Sequence, residues 1–127
     1  MAKPAPTSPL APAAFPDLPL IEGVTFAAAA AGVKYQGRDD VMLAVMRPGT
    51  SVAGVFTRSS TRSAPVLDCQ AKLGGNGSSG AAFLVNSGNA NAFTGRHGTE
   101  SVRAITQAVS AATSIPDTRI FTASTGV

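Results

Sequence analysis

The chain has 127 residues, 44% of them hydrophobic and only 13% charged, with a net charge of +3. This is the composition of one globular domain, and so little charge leaves room for surface that a partner covers. Lys34, Arg38, Arg47, Arg58, Arg62, Lys72, Arg96, Arg103 and Arg119 form no run, which argues against a nucleic-acid partner. No apolar stretch reaches the ~18 residues of a membrane span, so no membrane association is expected.

Residues 1–18 form a proline- and alanine-rich arm. Six of the nine prolines fall within residues 1–19, and a residue without an N–H and with a fixed φ suits neither a helix nor a central strand. The arm also lacks the unbroken apolar stretch of a signal peptide. The single cysteine, Cys69, has no partner for an internal disulfide. Together these features predict a cytoplasmic chain in a reducing compartment, with Cys69 acting as a small buried hydrophobe on a helix.

Val24–Ala29 reads as a strand, although its alanine run is equally compatible with a helix. Val41–Met46 is a continuous apolar run ended by Arg47-Pro48-Gly49. Ser51–Thr57 follows as a third strand, and the short Pro-Gly turn predicts an antiparallel hairpin between the two. Residues 63–73 form a helix with Ser63 as cap and Pro65 in the first turn, ended by Gly74 and Gly75. A loop over 74–80 leads into a buried strand, Ala81–Asn86. The next helix is expected over 99–112, capped by Thr99, with Val102, Ile105, Val109 and Ala112 on its inner face. Ile115-Pro116-Asp117 closes it, and a last strand over 119–124 runs into Thr125-Gly126-Val127. The abrupt end suggests a fragment. Strand pairs alternating with helices predict an α/β layered fold.

Several motifs have ordinary explanations. Gly75–Gly80 matches G-x-G-x-x-G, but a helix precedes it and a strand follows, the reverse of a dinucleotide fingerprint. Asn76-Gly77-Ser78 is a chance glycosylation triplet in a cytoplasmic chain. His97, the only histidine, has no visible orienting group and is expected exposed or packed in a loop. One His and one Cys do not make a metal site. Asp39 and Asp40 are expected as solvated turn caps.

Two stretches carry more. Asn86-Ser87-Gly88-Asn89-Ala90-Asn91-Ala92 places small, polar, αL-tolerant residues directly after a buried strand, where backbone N–H groups can converge. Ala123-Ser124-Thr125-Gly126-Val127 ends a strand in hydroxyl residues and a glycine, a geometry that can offer N–H groups to an oxyanion. From the residues alone, an ordinary turn and an ordinary strand end are equal alternatives.

These stretches, in order with Ile21-Glu22-Gly23-Val24, Ala31-Gly32-Val33-Lys34, Ser51–Thr57, Ser63-Ala64-Pro65-Val66 and Thr94-Gly95, resemble the ornithine acetyltransferase (glutamate N-acetyltransferase) family from about residue 19 onward. The resemblance implies a layered sandwich of the N-terminal-nucleophile aminopeptidase type, with residues 19–127 as part of an α chain. Such enzymes cleave themselves between an alanine and a threonine. The freed threonine of the β chain then carries acetyl from N-acetylornithine to glutamate, without metal, in αβ units that assemble further. Some members also accept acetyl-CoA. It further implies that Thr125 and Gly126 form the oxyanion hole. The cleavage pair and the nucleophilic threonine have no counterpart in this chain, so the piece alone is expected to be inactive. A non-catalytic interaction module and a related aminopeptidase are the rival readings.

Overall fold

The computed structural model describes residues 6–14 and 16–126. Residues 1–5 and 15 of the arm, and Val127 of the last motif, lie outside the described residues. The described part of the arm forms no helix or strand.

Four strands make one mixed sheet in the order β1 (Val24–Ala29), β2 (Val41–Met46), β3 (Ala81–Ser87), β4 (Ile120–Thr125). The first three are antiparallel, and β3 and β4 run parallel, joined by a helical crossover. Helix α1 (Ala64–Lys72) precedes β3, and the 19-residue α2 (Gly95–Thr113) links β3 to β4. Strand periodicity sends alternate residues to opposite faces. Ala82 and Ile120 pack with Val109 and Ile115 on the α2 side, joined by Leu43, Val45 and Leu84. Ala81 and Phe121 pack with Cys69 of α1 on the other side, joined by Val52, Phe56, Leu73 and Phe83. The Phe83 and Phe121 rings stack at 5.4 Å. Burying each large side chain contributes about 1.5–3 kcal/mol, so the two faces together supply the driving force for the α/β layers.

Three expectations need correction. Ser51–Thr57 forms no strand. Both edges of β2 are taken, by β1 and β3, so no ladder is left for a hairpin partner, and Gly49 N–H instead bonds Gly77 O at 2.9 Å. The segment still dips Val52 and Phe56 into the core. Second, α2 begins at Gly95 rather than Thr99, and its buried face is Gly98, Val102, Thr106 and Val109. Ala112 is exposed and Ile105 only partly covered, because the helix turns Thr106 inward where an aliphatic stripe was expected. Third, Asp40 is no solvated cap: it is buried, with 4% of its surface exposed. The ambiguous Val24–Ala29 is a strand, settled by its pairing with β2 rather than by its alanines.

Helix α1 also covers the outer strand of the sheet. Lys72 Nζ donates to Ile120 O at 3.2 Å, and Cys69 Sγ donates to Thr122 O at 3.4 Å. An edge strand with unpaired backbone invites association, and a helix laid along it is one remedy. Ser63 does not bond the helix through its hydroxyl, and Pro65 sits in the first turn as expected. At the other end of β4, Arg119 is buried and reaches three carbonyls: Gly80 O at 2.9 Å, Gly75 O at 3.3 Å and Thr50 O at 2.7 Å. It ties the glycine-rich loop and the turn after β2 to the start of β4, so the G-x-G-x-x-G match is a structural loop.

Two predictions follow from these contacts. Replacing Arg119 by Met leaves three carbonyls short of a donor and should lower stability by about 2–4 kcal/mol in urea denaturation. Burial pushes the Cys69 thiol above its ordinary value of 9.0. The folded state therefore favours the protonated thiol, and that contribution is present below the unfolded value and lost as pH rises past it. Stability should fall above about pH 9, and Cys69→Ala should remove that part of the pH dependence.

Candidate active site

Parallel pairing carries β3 and β4 to the same end of the sheet, and the register sets Asn86 opposite Ser124 and Ser87 opposite Thr125. The two stretches singled out in the sequence are thus neighbours. Ser124 Oγ donates to Asn86 Oδ1 at 2.7 Å, and Thr125 Oγ1 donates to Asn86 O at 3.4 Å. Thr125 and Gly126 are exposed at the strand end. A side chain at Gly126 would touch Ala90 Cβ, at 3.7 Å from the added carbon, so the turn after β3 lies beside the glycine.

That turn is held by its asparagines. Asn86 Nδ2 donates to Asn89 O at 3.0 Å, and Asn89 Oδ1 accepts from Asn91 N–H at 2.9 Å. Asn91, in the left-handed region at φ 49°, bonds onward to both helices. Its Nδ2 donates to Gly98 O at 3.2 Å, its Oδ1 accepts from Thr94 Oγ1 at 2.6 Å, and its backbone carbonyl accepts from Ala64 N–H at the start of α1. Thr94 therefore spends its hydroxyl on Asn91 rather than on capping α2. The pair occupies the space where any Cβ at position 98 would stand, so only glycine fits in that first helical turn.

Between the sheet and α2, a cleft of about 330 Å³ opens beside this end. Val33, Val41, Leu84 and Val102 line its floor, and Asn86, Asn89, Asn91 and Ser124 its rim. His97 is exposed at the mouth, on α2 rather than in a loop, and 3.8 Å from Glu100. Among the described residues no three His, Cys, Asp or Glu side chains come together to hold a metal ion, and no helix is long and apolar enough to cross a membrane.

The parallel strands β3 and β4 thus end together in two small-residue, hydroxyl- and amide-rich stretches. Residues 25–127 match the ArgJ family, and the chain belongs to it. It is 68% identical, over its full length, to the arginine biosynthesis bifunctional protein ArgJ of Ruegeria pomeroyi, of which it spans 31%. Against the protein of the same name from Bradyrhizobium diazoefficiens it is 52% identical over 94% of the chain and 29% of the relative. The chain thus spans about a third of the length of these relatives. Among solved structures, ornithine acetyltransferase of Mycobacterium tuberculosis, crystallised with ornithine, superposes with a TM-score of 0.75. The identity is 38%, over 84% of this chain and 57% of that one. ArgJ of Bacillus halodurans gives a TM-score of 0.74 at 30% identity, over 84% of this chain and 55% of that one. The fold class expected from the sequence is confirmed by these superpositions.

What sequence reasoning missed is the anchoring of the turn. The Asn91–Thr94–Gly98 contact was hidden because the helix was expected to start four residues too late, at Thr99 rather than Gly95. Asp40 was missed because a pair of acids at a turn ordinarily faces water. A usable signal was its position directly before the apolar run Val41–Met46.

Gly98→Ala should displace Thr94 and Asn91 and cost about 1–3 kcal/mol. Hydrogen exchange should show the loss concentrated at the amides of Asn91 and the first turn of α2.

Proposed function

We propose that this chain is the N-terminal part of the α chain of an ornithine acetyltransferase that moves acetyl from N-acetylornithine to glutamate. In this reading the folded part of the α chain begins near residue 19, after the proline- and alanine-rich segment. The observation that carries this reading is the β3–β4 register, which sets Thr125 and Gly126 beside the Asn86–Ala92 turn at one exposed sheet end. The ornithine in the mycobacterial relative is consistent with the donor.

In this reading the nucleophile is a threonine freed by self-cleavage, at the N-terminus of a β chain outside these residues. Its Oγ attacks the acetyl carbonyl of N-acetylornithine while its terminal amine takes the hydroxyl proton. The C–N bond breaks, the amine of ornithine leaves with that proton, and acetyl stays on the threonine as an ester. The amine of glutamate then attacks the ester, which releases N-acetylglutamate and restores the hydroxyl. Each half passes through a tetrahedral oxyanion. Thr125, through its hydroxyl, and Gly126, through its N–H, are the donors assigned to that charge. Both sit at a strand end held by its ladder, with Ser124 bonded to Asn86; the Thr125 hydroxyl, which donates to Asn86 O in the resting site, turns to the oxyanion as it forms. The same site would serve acetyl-CoA as donor, with the thiol leaving in place of the amine. The α and β chains remain associated in the cytoplasm, as αβ units that assemble further.

In the full-length protein, Thr125→Ala should lower kcat by roughly 10²–10³ while leaving the fold and the KM for N-acetylornithine nearly unchanged. Steady-state kinetics with ornithine release as the readout checks this. Normal turnover by the variant would overturn the assignment of Thr125, and absence of acetyl transfer by the wild-type protein would overturn the function itself.

A further inference from the structure

We propose that Asp40 is a positioning residue for this site, acting through the arch of residues 30–39. The inference rests on the acetyl-transfer reading for its consequence, though not for its geometry.

Asp40 is buried among residues that offer it no cation: no ion pair to it is present among the described residues. Its charge is met by backbone instead. Oδ1 accepts from Ala31 N–H at 2.7 Å and Oδ2 from Val33 N–H at 2.6 Å. Short bonds to an ionised acceptor are the strong kind, and a carboxylate left without them in this position would be costly. The backbone of Asp40 extends the sheet by one further step. Its N–H donates to Ala29 O at 3.1 Å, and its carbonyl accepts from Ser87 N–H at 2.9 Å. One residue thus joins the end of β1, the start of β2 and the end of β3, at the edge that carries Thr125.

The side chain closes the arch over that edge. With Ala31 and Val33 held, Lys34 comes down on the turn after β3. A Cβ built on Gly88 would lie 2.8 Å from Lys34 Cβ, and Gly88 has φ 95°. The glycine is needed both for its backbone conformation and for the approach of the arch. Gly88 leads directly into Asn89 and Ala90, and Ala90 is the neighbour of Gly126. Val33 of the same arch walls the cleft that Asn86 and Ser124 rim. A line of contact therefore runs from the Asp40 carboxylate through the arch and the turn to the glycine assigned to the oxyanion. Asp40 itself does not line the cleft, so its effect is assigned to the placement of the oxyanion donors rather than to a contact with substrate.

Asp40→Asn tests the proposal in the full-length protein. The amide keeps one acceptor but sets an NH₂ against a backbone N–H. The expected result is a kcat lower by about 10–100-fold, with the KM for N-acetylornithine changed less than about threefold. Amide exchange at Ala31 and Val33 should quicken at least about tenfold, while Ser87, bonded to the Asp40 backbone, keeps its protection. If the two amides stay protected, the carboxylate does not hold the arch and the inference is wrong. If they are released while kcat is unchanged, the arch does not position the site and the inference is equally wrong. Should the variant not fold, Gly88→Ala approaches from the other side. It should force Lys34 and the arch away and give the same loss in kcat at constant KM, and unaltered kinetics would overturn the proposal. A wild-type protein without acetyl transfer would sink the functional reading, and the exchange measurement would still decide whether Asp40 holds the arch.

Discussion

Parallel pairing of β3 with β4 is the constraint on which the rest of the molecule depends. Two parallel neighbours require a long crossover, and the 19 residues of α2 provide it. The result is that both strands finish at one edge, with Asn86 facing Ser124 and Ser87 facing Thr125. A slip of one residue would turn Ser124 to the opposite face from Asn86 and would also expose Ile120 and Phe121 on the wrong sides. The register is therefore fixed by packing remote from the site. Ala82 and Ile120 engage α2, and the stacked Phe83 and Phe121 rings occupy the other face. The geometry at the strand ends inherits its precision from that core.

The two buried charges obey one rule at opposite ends of the sheet. Arg119 precedes β4 and is satisfied by three carbonyls, while Asp40 precedes β2 and is satisfied by two side-chain-directed N–H groups. Among the described residues neither is matched by an opposite charge. A buried ion met by backbone dipoles costs desolvation that those bonds must offset, and in return it fixes irregular segments that have no ladder of their own. Arg119 fixes the loops that enter the sheet, and Asp40 fixes the arch at the edge where the strands finish. The asparagine turn at that edge is neutral, and its Asn86, Asn89 and Asn91 side chains bond backbone or hydroxyl groups at close range. Such groups can hold geometry without imposing a field of their own on a developing anion.

Much of this was legible in the sequence, for identifiable reasons. Val41–Met46 and Ala81–Asn86 are apolar runs bounded by turn residues, and they are the two central strands. Pro65 and the glycines at 74 and 75 delimit α1 as expected. Asn86–Ala92 and Ala123–Gly126 stood out as small polar stretches after strands, and the topology brings them together. Ser51–Thr57 misled because β propensity says nothing about whether an edge is free, and β2 has none. The start of α2 misled because Thr94 caps nothing: its hydroxyl belongs to a tertiary contact with Asn91. Asp40 misled because burial of an acid depends on N–H groups contributed by residues 31 and 33, seven to nine positions earlier, and no local pattern announces them.

The same structure leaves large apolar groups in solvent. Phe26 of β1 is 67% exposed and Val55 is 99% exposed, and β1 has only β2 beside it. A chain with 13% charged residues does not offset such surface with solvating charge. On the proposed reading, the remainder of the acetyltransferase covers these groups and brings the nucleophilic threonine. The division of labour is then physically coherent. Oxyanion donors act by being fixed before the charge appears, so they belong on a strand end whose register a core and two helices already determine. The nucleophile, on the same reading, comes from the rest of the protein and has to be held against the substrate in its turn. Asp40, Gly88 and the Asn91–Thr94 contact all lie on the oxyanion side of that division, and on the proposed reading a displacement of about an ångström there matters more to the transition state than to the bound substrate.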